Sequence, residues 1–450
     1  MKIRLIETSK NTNDRLTEKE FKKIDSGEIK IKINPEKKYQ TMLGIGGAFT
    51  EAASTTIDKL SKDKQEEILK AYFDKKEGIG YSFCRTHINS CDFSLENYAY
   101  CETDGDVELK TFSIERDRKS LIPLIKKAFS LNPEIKLFAS PWSPPAWMKT
   151  NGRMNNGGKL KPEYREVWAK YFAKYIKEYK KEGVNIWGLT IQNEPMAETP
   201  WDNCIYESDE ERDFVKILGP TLKEEGLEDI KIMVWDHNKD IMKERVDTIL
   251  SDEEAAKWVW GVGFHWYGQN GDDSTNMDDS VLDYTHETYG KNLVFTEGCN
   301  PHYNTGKTSL VGEWWTGEKY GKHIINDLNH HTIAWCDWNI VLNEFGGPNH
   351  VNNFCDAPII ADTKENKVYY NSSYYYIGHF SKYIKRGYKR IEHSLSSDDL
   401  WVTTWAGENK YIVVVMNEKD EEKTYEIELL GEKIKGNIAG HSIQTIILEK

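Results

Sequence analysis

Ile186-Trp-Gly-Leu-Thr-Ile-Gln-Asn193-Glu194-Pro195 is an apolar run that closes on an amide, a carboxylate and a helix-stopping proline. Such a run reads as a buried parallel strand whose last side chains emerge at a functional rim. Asn292-Leu-Val-Phe-Thr-Glu297-Gly298-Cys299 has the same design, and Gly298 lets backbone or ligand come close. A lone strand-end glutamate is usually an ion-pair partner or a cap for the next helix. Two of them, each closing an apolar strand, point to chemistry that needs a pair of carboxylates.

Working outward, strand-like runs recur at 42–50, 80–89, 135–142, 186–194, 230–236, 259–267, 293–297 and 333–341. Amphipathic helical segments lie between or after them at 62–73, 113–130, 162–181, 209–224, 317–329 and 374–385. Eight strands alternating with helices predict an α/β chain whose residues 42–387 form a (β/α)8 TIM barrel. Residues 1–41 hold the alternating run Glu28-Ile-Lys-Ile-Lys-Ile-Asn34, a half-exposed strand in need of a sheet. That sheet is predicted at 388–450, where four short β runs are separated by Gly, Asn and charged turns. The two chain ends are thus expected to share one small β-sandwich. Long Trp-, Gly- and Asn-rich insertions follow barrel strands three, four, seven and eight, the side on which such barrels build their sites.

Composition narrows the function. A net charge of −13 disfavours a nucleic-acid partner, which the surface would repel. No apolar stretch approaches the roughly 20 residues needed to cross a bilayer, and Met1-Lys-Ile-Arg-Leu-Ile-Glu-Thr-Ser turns polar too early for a signal-peptide core, so a cytoplasmic location is expected. Seven cysteines without framework spacing predict reduced thiols. No CxxC or HExxH occurs, so neither a metal nor a cofactor is expected. Gly44, Gly46 and Gly47 lack the following Lys-Ser/Thr of a phosphate loop, and close strand packing is the better account of them. The 15 Trp and 24 Tyr supply flat apolar faces with polar tips, which suit sugar rings as well as cores.

Closing the barrel sets Glu194, after the fourth strand, across its mouth from Glu297, after the seventh. That geometry suits a glycosidase. Breaking an acetal near neutral pH takes a proton for the departing oxygen and an anion against the oxocarbenium-like carbon. One carboxyl must stay protonated and the other ionised.

The ordered series Gly44-Ile-Gly-Gly-Ala-Phe-Thr-Glu51, Ser90-Cys-Asp92-Phe-Ser94, Ala139-Ser-Pro-Trp142, Gln192-Asn-Glu-Pro195, His265-Trp-Tyr267, Thr296-Glu-Gly298, Trp335-Cys-Asp-Trp-Asn339 and Gly346-Gly-Pro-Asn349 resembles glycoside hydrolase family thirty, the family of the lysosomal glucocerebrosidases. The resemblance implies a retaining exo-acting β-glycosidase that removes terminal β-glucosyl residues through a covalent glycosyl-enzyme. It makes Glu194 the acid/base and Glu297 the nucleophile, with Arg85 and Tyr267 as donors to the latter. Asn193 matches the amide that bonds the sugar 2-hydroxyl. Asp92, Trp142, Trp338 and Asn353 match the sugar-holding positions, and His265 with Trp266 shapes the wall. The same family also contains β-1,6-glucanase, β-xylosidase and β-fucosidase activities, which stay open as alternatives. The lysosomal members carry tryptophan where this chain has His350, on the side that meets the aglycone. A non-catalytic sugar-binding protein is the remote alternative; such proteins usually lose a catalytic carboxylate, and here both are kept.

Overall fold

A computed structural model describes residues 1–268 and 279–449. Eight parallel strands close into a barrel: Gly44–Phe49, Phe83–Ile88, Lys136–Pro141, Ile186–Thr190, Lys231–Asn238, Val259–His265, Asn292–Glu297 and Thr332–Asn339. Each pairs with its neighbours in chain order, and the eighth returns to the first. Phe83, Phe138, Met233, Val294, Ala334 and Cys336 fill the interior at one end. Gly46 is there because the strands pack closely: a Cβ would sit 1.9 Å from the carbonyl oxygen of Phe83. The opposite end of the barrel is polar and carries the site.

All eight expected strands are present, with one difference that matters. The fourth ends at Thr190, so Glu194 lies four residues beyond it, in a loop with φ 46. The expected helix over 113–130 divides into Glu115–Lys119 and Leu121–Leu131. Pro123 cannot donate a backbone bond and is tolerated only in a first turn, so the helix restarts before it. Helices Glu51–Asp58, Met242–Leu250 and Ser280–Tyr289 were not expected; each is only eight to ten residues long, short for a periodic signal. The first is set by Thr50, whose side chain accepts from the Ala53 N–H.

The chain ends meet in one nine-stranded sheet that folds over itself. Within it Ile29–Thr41 is antiparallel to Lys389–Leu395 on one side and parallel to Lys423–Leu429 on the other. The N-terminal region supplies three strands: besides Ile29–Thr41, Lys2–Ser9 pairs along its whole length with Ser442–Glu449 and carries Thr17–Lys19 on its other edge. Tyr411, Val413 and Val415 face Tyr425, Ile427 and Leu429 in the sandwich core, whereas Ile412, Val414 and Met416 join the barrel's core. Alternation along one strand therefore binds both layers. All seven cysteines are free and buried. Among the described residues, no helix is long and apolar enough to cross a membrane.

Candidate active site

Arg85, on the second barrel strand, is fully buried and spends all five donors on five acceptors. Nε donates to Ser140 Oγ at 3.0 Å; Nη1 donates to Glu297 Oε2 at 2.7 Å and the Thr296 carbonyl at 3.3 Å; Nη2 donates to Asp236 Oδ2 at 2.7 Å and Asn193 Oδ1 at 3.0 Å. A buried cation is tolerable only when paired in this way. Strands two, three, five and seven and the loop after strand four are thereby pinned to one guanidinium. Because Asn193 turns its oxygen to Arg85, its NH2 is the group left for the cavity.

Glu297 also accepts from the Tyr267 hydroxyl at 3.2 Å, and that hydroxyl lies 3.3 Å from Cys299 Sγ. Burial, with Cys299 and Glu297 beside it, pushes the Tyr267 phenol up, so it stays an O–H donor. Glu194 faces two imidazoles: its Oε1 is 3.2 Å from His265 Nδ1 and 3.7 Å from His237 Nδ1. His265 Nε2 is 2.9 Å from Asp236 Oδ1. Burial alone would raise Asp236, but Arg85 and His265 hold it below the usual carboxylate range. Burial likewise opposes a charge on His265, yet Glu297, Asp236 and Glu194 carry it up to about 9. His237 goes the other way, lowered to about 4 by burial, and is neutral at pH 7.

The carboxylates do not divide as expected. Burial pushes Glu297 up against the pull of His265 and Arg85, while Glu194, which burial would also raise, is lowered by His237 and His265. The cause is contact: His237, at 3.7 Å, and His265, at 3.2 Å, both stand directly at Glu194. The proton that an acid needs is therefore held by the Glu194–His265 pair, and it can sit on either partner of that 3.2 Å contact.

Glu194, Trp235 and Asp236 all adopt left-handed backbone, with φ of 46, 75 and 58. The Glu194 N–H donates to the Asp236 carbonyl at 2.9 Å, so the loop after strand four and the kinked end of strand five lock each other in place. Such strained residues persist only where the surroundings over-determine them.

The sugar-holding set expected from the resemblance converges on the same cavity of about 180 Å³. Trp142 and Trp338 stack with centroids 5.1 Å apart at 21°, and the Arg85 guanidinium lies 4.7 Å from the Trp142 ring. Asp92, buried, accepts from Asn353 at 3.2 Å and Asn349 at 3.4 Å; burial and the nearby Glu297 push it well above its usual range. All ten expected site residues lie in this cavity or touch a residue that lines it. Reading the sequence missed Asp236, His237, Asn349 and Trp201. The first two end the fifth strand in Val-Trp-Asp-His-Asn, a position that marks a rim residue as clearly as Glu297 does. Sequence spacing showed no metal ligands, but the fold brings ligand atoms of Glu194, His237 and His265 within 4.8 Å of one another.

Residues 42–384 match the glycosyl hydrolase family 30 TIM-barrel domain, and 387–446 match its beta sandwich domain. The chain is 37% identical to the lysosomal acid glucosylceramidase of Mus musculus over 406 residues, 87% of this chain and 78% of that one. Among solved structures it is similar to SrfJ from Salmonella typhimurium, at a TM-score of 0.92 and 34% identity over the whole of both chains. It is also similar to the endo-beta1,6-glucanase BT3312, at a TM-score of 0.89 and 27% identity over 100% of this chain and 99% of that one.

Proposed function

This chain belongs to glycosyl hydrolase family 30 and is a glycoside hydrolase; on that premise we propose that it is a retaining, exo-acting β-glucosidase with Glu297 as nucleophile and Glu194 as acid/base. The observation that carries the reading is the asymmetry of the two carboxyls. Glu297 is fixed by Arg85 at 2.7 Å and Tyr267 at 3.2 Å, as a nucleophile must be, whereas Glu194 stands 3.2 Å from His265 Nδ1 and is the more exposed.

In the first step a Glu297 oxygen attacks the anomeric carbon while the bond to the leaving oxygen breaks. Glu194 gives that oxygen the one proton it shares with His265, which leaves Glu194 a carboxylate and His265 neutral. Forming the ester removes the charge on Glu297, a main attraction holding the proton on His265, so proton release and bond formation assist each other. In the second step Glu194 takes a proton from water, the hydroxide attacks the same carbon, and Glu297 departs. The Asn193 NH2 meets the sugar 2-hydroxyl, a contact that strengthens in the transition state. Arg85 and Asp236 move no proton; they hold the nucleophile and the imidazole in place.

A cavity of about 180 Å³ with a tryptophan pair and the Asp92 carboxyl has room for one ring rather than a chain, which favours removal of single terminal sugars. Similarity to a glucosylceramidase supports glucose as that sugar. Similarity to an endo-β1,6-glucanase keeps a β-1,6-glucanase as the second reading. The free cysteines are in keeping with a reducing, cytoplasmic setting. The test is trapping: a 2-deoxy-2-fluoro-β-glucosyl fluoride should add one fluoroglucosyl mass to the peptide bearing Glu297. A label on another residue, or none while the enzyme turns over glucosides, overturns the assignment.

A further inference from the structure

The acid side of the cavity is carried by two segments: the loop after strand four, with Glu194, and the end of strand five, with Asp236 and His237. Both leave the barrel ladder early. Strands four and five pair only as far as Thr190 and Met233, and beyond Met233 the backbone of Trp235 and Asp236 turns left-handed, at φ 75 and 58. A bulky residue stays in that region only if its surroundings hold it there. Strand four ends before it can pair with Trp235, whose buried N–H must find an acceptor elsewhere.

Glu211 is that acceptor. It lies on the helix Ser208–Glu224, is completely buried, and lines no part of the catalytic cavity. Its Oε1 accepts from the Trp235 N–H at 2.7 Å. Its Oε2 accepts from Arg245 Nη1 at 3.1 Å, and the same Nη1 donates to the Tyr206 carbonyl at 2.7 Å. The Tyr206 N–H in turn donates at 2.9 Å to the carbonyl of Pro195, the residue after Glu194. One buried ion pair thus reaches both segments from outside the cavity. Such a pair adds little net stability over apolar side chains of the same size, and this one spends its oxygens and nitrogens on backbone groups of the rim.

We propose that Glu211 is a positioning residue for the acid half of the reaction, holding the end of strand five where Asp236 can anchor His265 against Glu194. It touches no reacting atom. The proposal rests on Glu194 being the acid/base and names what keeps its partner in register. Trp235 precedes Asp236, so a shift of its backbone moves the carboxylate that stands 2.9 Å from His265 Nε2. Glu297 keeps its own donors, Arg85 and Tyr267.

The experiment compares two double variants that both remove the ion pair and differ only in the acceptor. Glu211→Gln with Arg245→Met keeps an oxygen for the Trp235 N–H; Glu211→Leu with Arg245→Met keeps none. In the Leu variant kcat/KM on an alkyl β-glucoside should fall roughly tenfold to a hundredfold, the cost of misplacing a group by about an ångström, while dinitrophenyl β-glucoside stays within about twofold. The alkaline limb of the alkyl-glucoside profile should move to lower pH. The Gln variant should match wild type in both respects. Equal loss on the two glucosides, an unmoved limb, or identical behaviour of the two variants overturns the proposal. Where the Leu variant does not fold, the Gln variant decides: a displaced limb there overturns it, and a wild-type limb supports it. Glu194→Gln is measured alongside. If that change slows both glucosides alike, the acid/base reading fails and the proposal falls with it; if it spares dinitrophenyl glucoside and the Leu variant does not, the proposal alone fails.

Discussion

Nδ1 of His265 stands 3.2 Å from Oε1 of Glu194, close enough for the two to hold one proton between them. His265 carries its own anchor, since Nε2 is 2.9 Å from Asp236. The imidazole, raised to about 9, therefore keeps the acid supplied well above the pH at which an isolated glutamate would be empty. For kcat/KM on alkyl glucosides, the alkaline limb should report this pair. His265→Gln should move that limb to lower pH. An unmoved limb would place the proton elsewhere.

The same shift bears on stability. His265 has a folded pKa of about 9, above the unfolded 6.5, so its contribution is fully present below pH 6.5 and lost as pH rises through 9. Between those limits wild type should lose roughly 3 kcal/mol relative to His265→Gln in denaturant unfolding. Parallel curves for the two proteins across that window would contradict it.

Replacing Glu297 by Gly should lower the rate on aryl β-glucosides by roughly 10⁴-fold or more, because nucleophile and attacking charge vanish together. Azide should then restore turnover and give the α-glucosyl azide, entering through the space Glu297 leaves. Polarimetry or NMR of the product checks the stereochemistry, and a β-azide would place the nucleophile elsewhere.

Glu194→Gln should leave attack on dinitrophenyl glucoside fast while slowing alkyl glucosides by roughly 10²–10⁴-fold, since only poor leaving groups need the proton. A steady-state comparison of the two substrates decides it. Uniform loss would make Glu194 a structural residue.

Aryl β-glucoside should be preferred over aryl β-xyloside in kcat/KM. A pocket that pairs its buried polar groups with a substrate hydroxyl rejects the analogue lacking it strongly, whereas an apolar wall alone discriminates by roughly 1–3 kcal/mol. Trp338→Ala, which removes half of the stacked pair with Trp142, should shrink the preference. A better rate on the xyloside or fucoside would overturn glucose as the sugar.

EDTA should leave the rate unchanged, because every step above uses only side chains. Added zinc, by contrast, should inhibit by occupying Glu194, His237 and His265, whose ligand atoms lie within 4.8 Å of one another. EDTA should reverse that inhibition, and His237→Asn should weaken it. A rate abolished by EDTA and restored by one divalent ion would require a different mechanism.

Sequence by itself determined the barrel, because each strand is a short apolar run buried on both faces and each helix an amphipathic one, and those patterns are local. It also singled out both glutamates as candidates, since each closes an apolar run. What it could not contain was the electrostatics. Arg85 meets Asn193, Asp236 and Glu297 across 108, 151 and 212 residues of chain, and only closure of the barrel brings them together. The expected division of protons, Glu194 high and Glu297 low, treated each carboxyl alone. In the fold His265 takes one side of that balance, because a pKa is set by the charges within a few ångströms and those come from other strands. Lys2–Ser9 makes the same point for the sandwich. The one alternating run legible in residues 1–41 is Glu28–Asn34, and Lys2–Ser9 becomes a strand by pairing along its full length with Ser442–Glu449 at the far end of the chain.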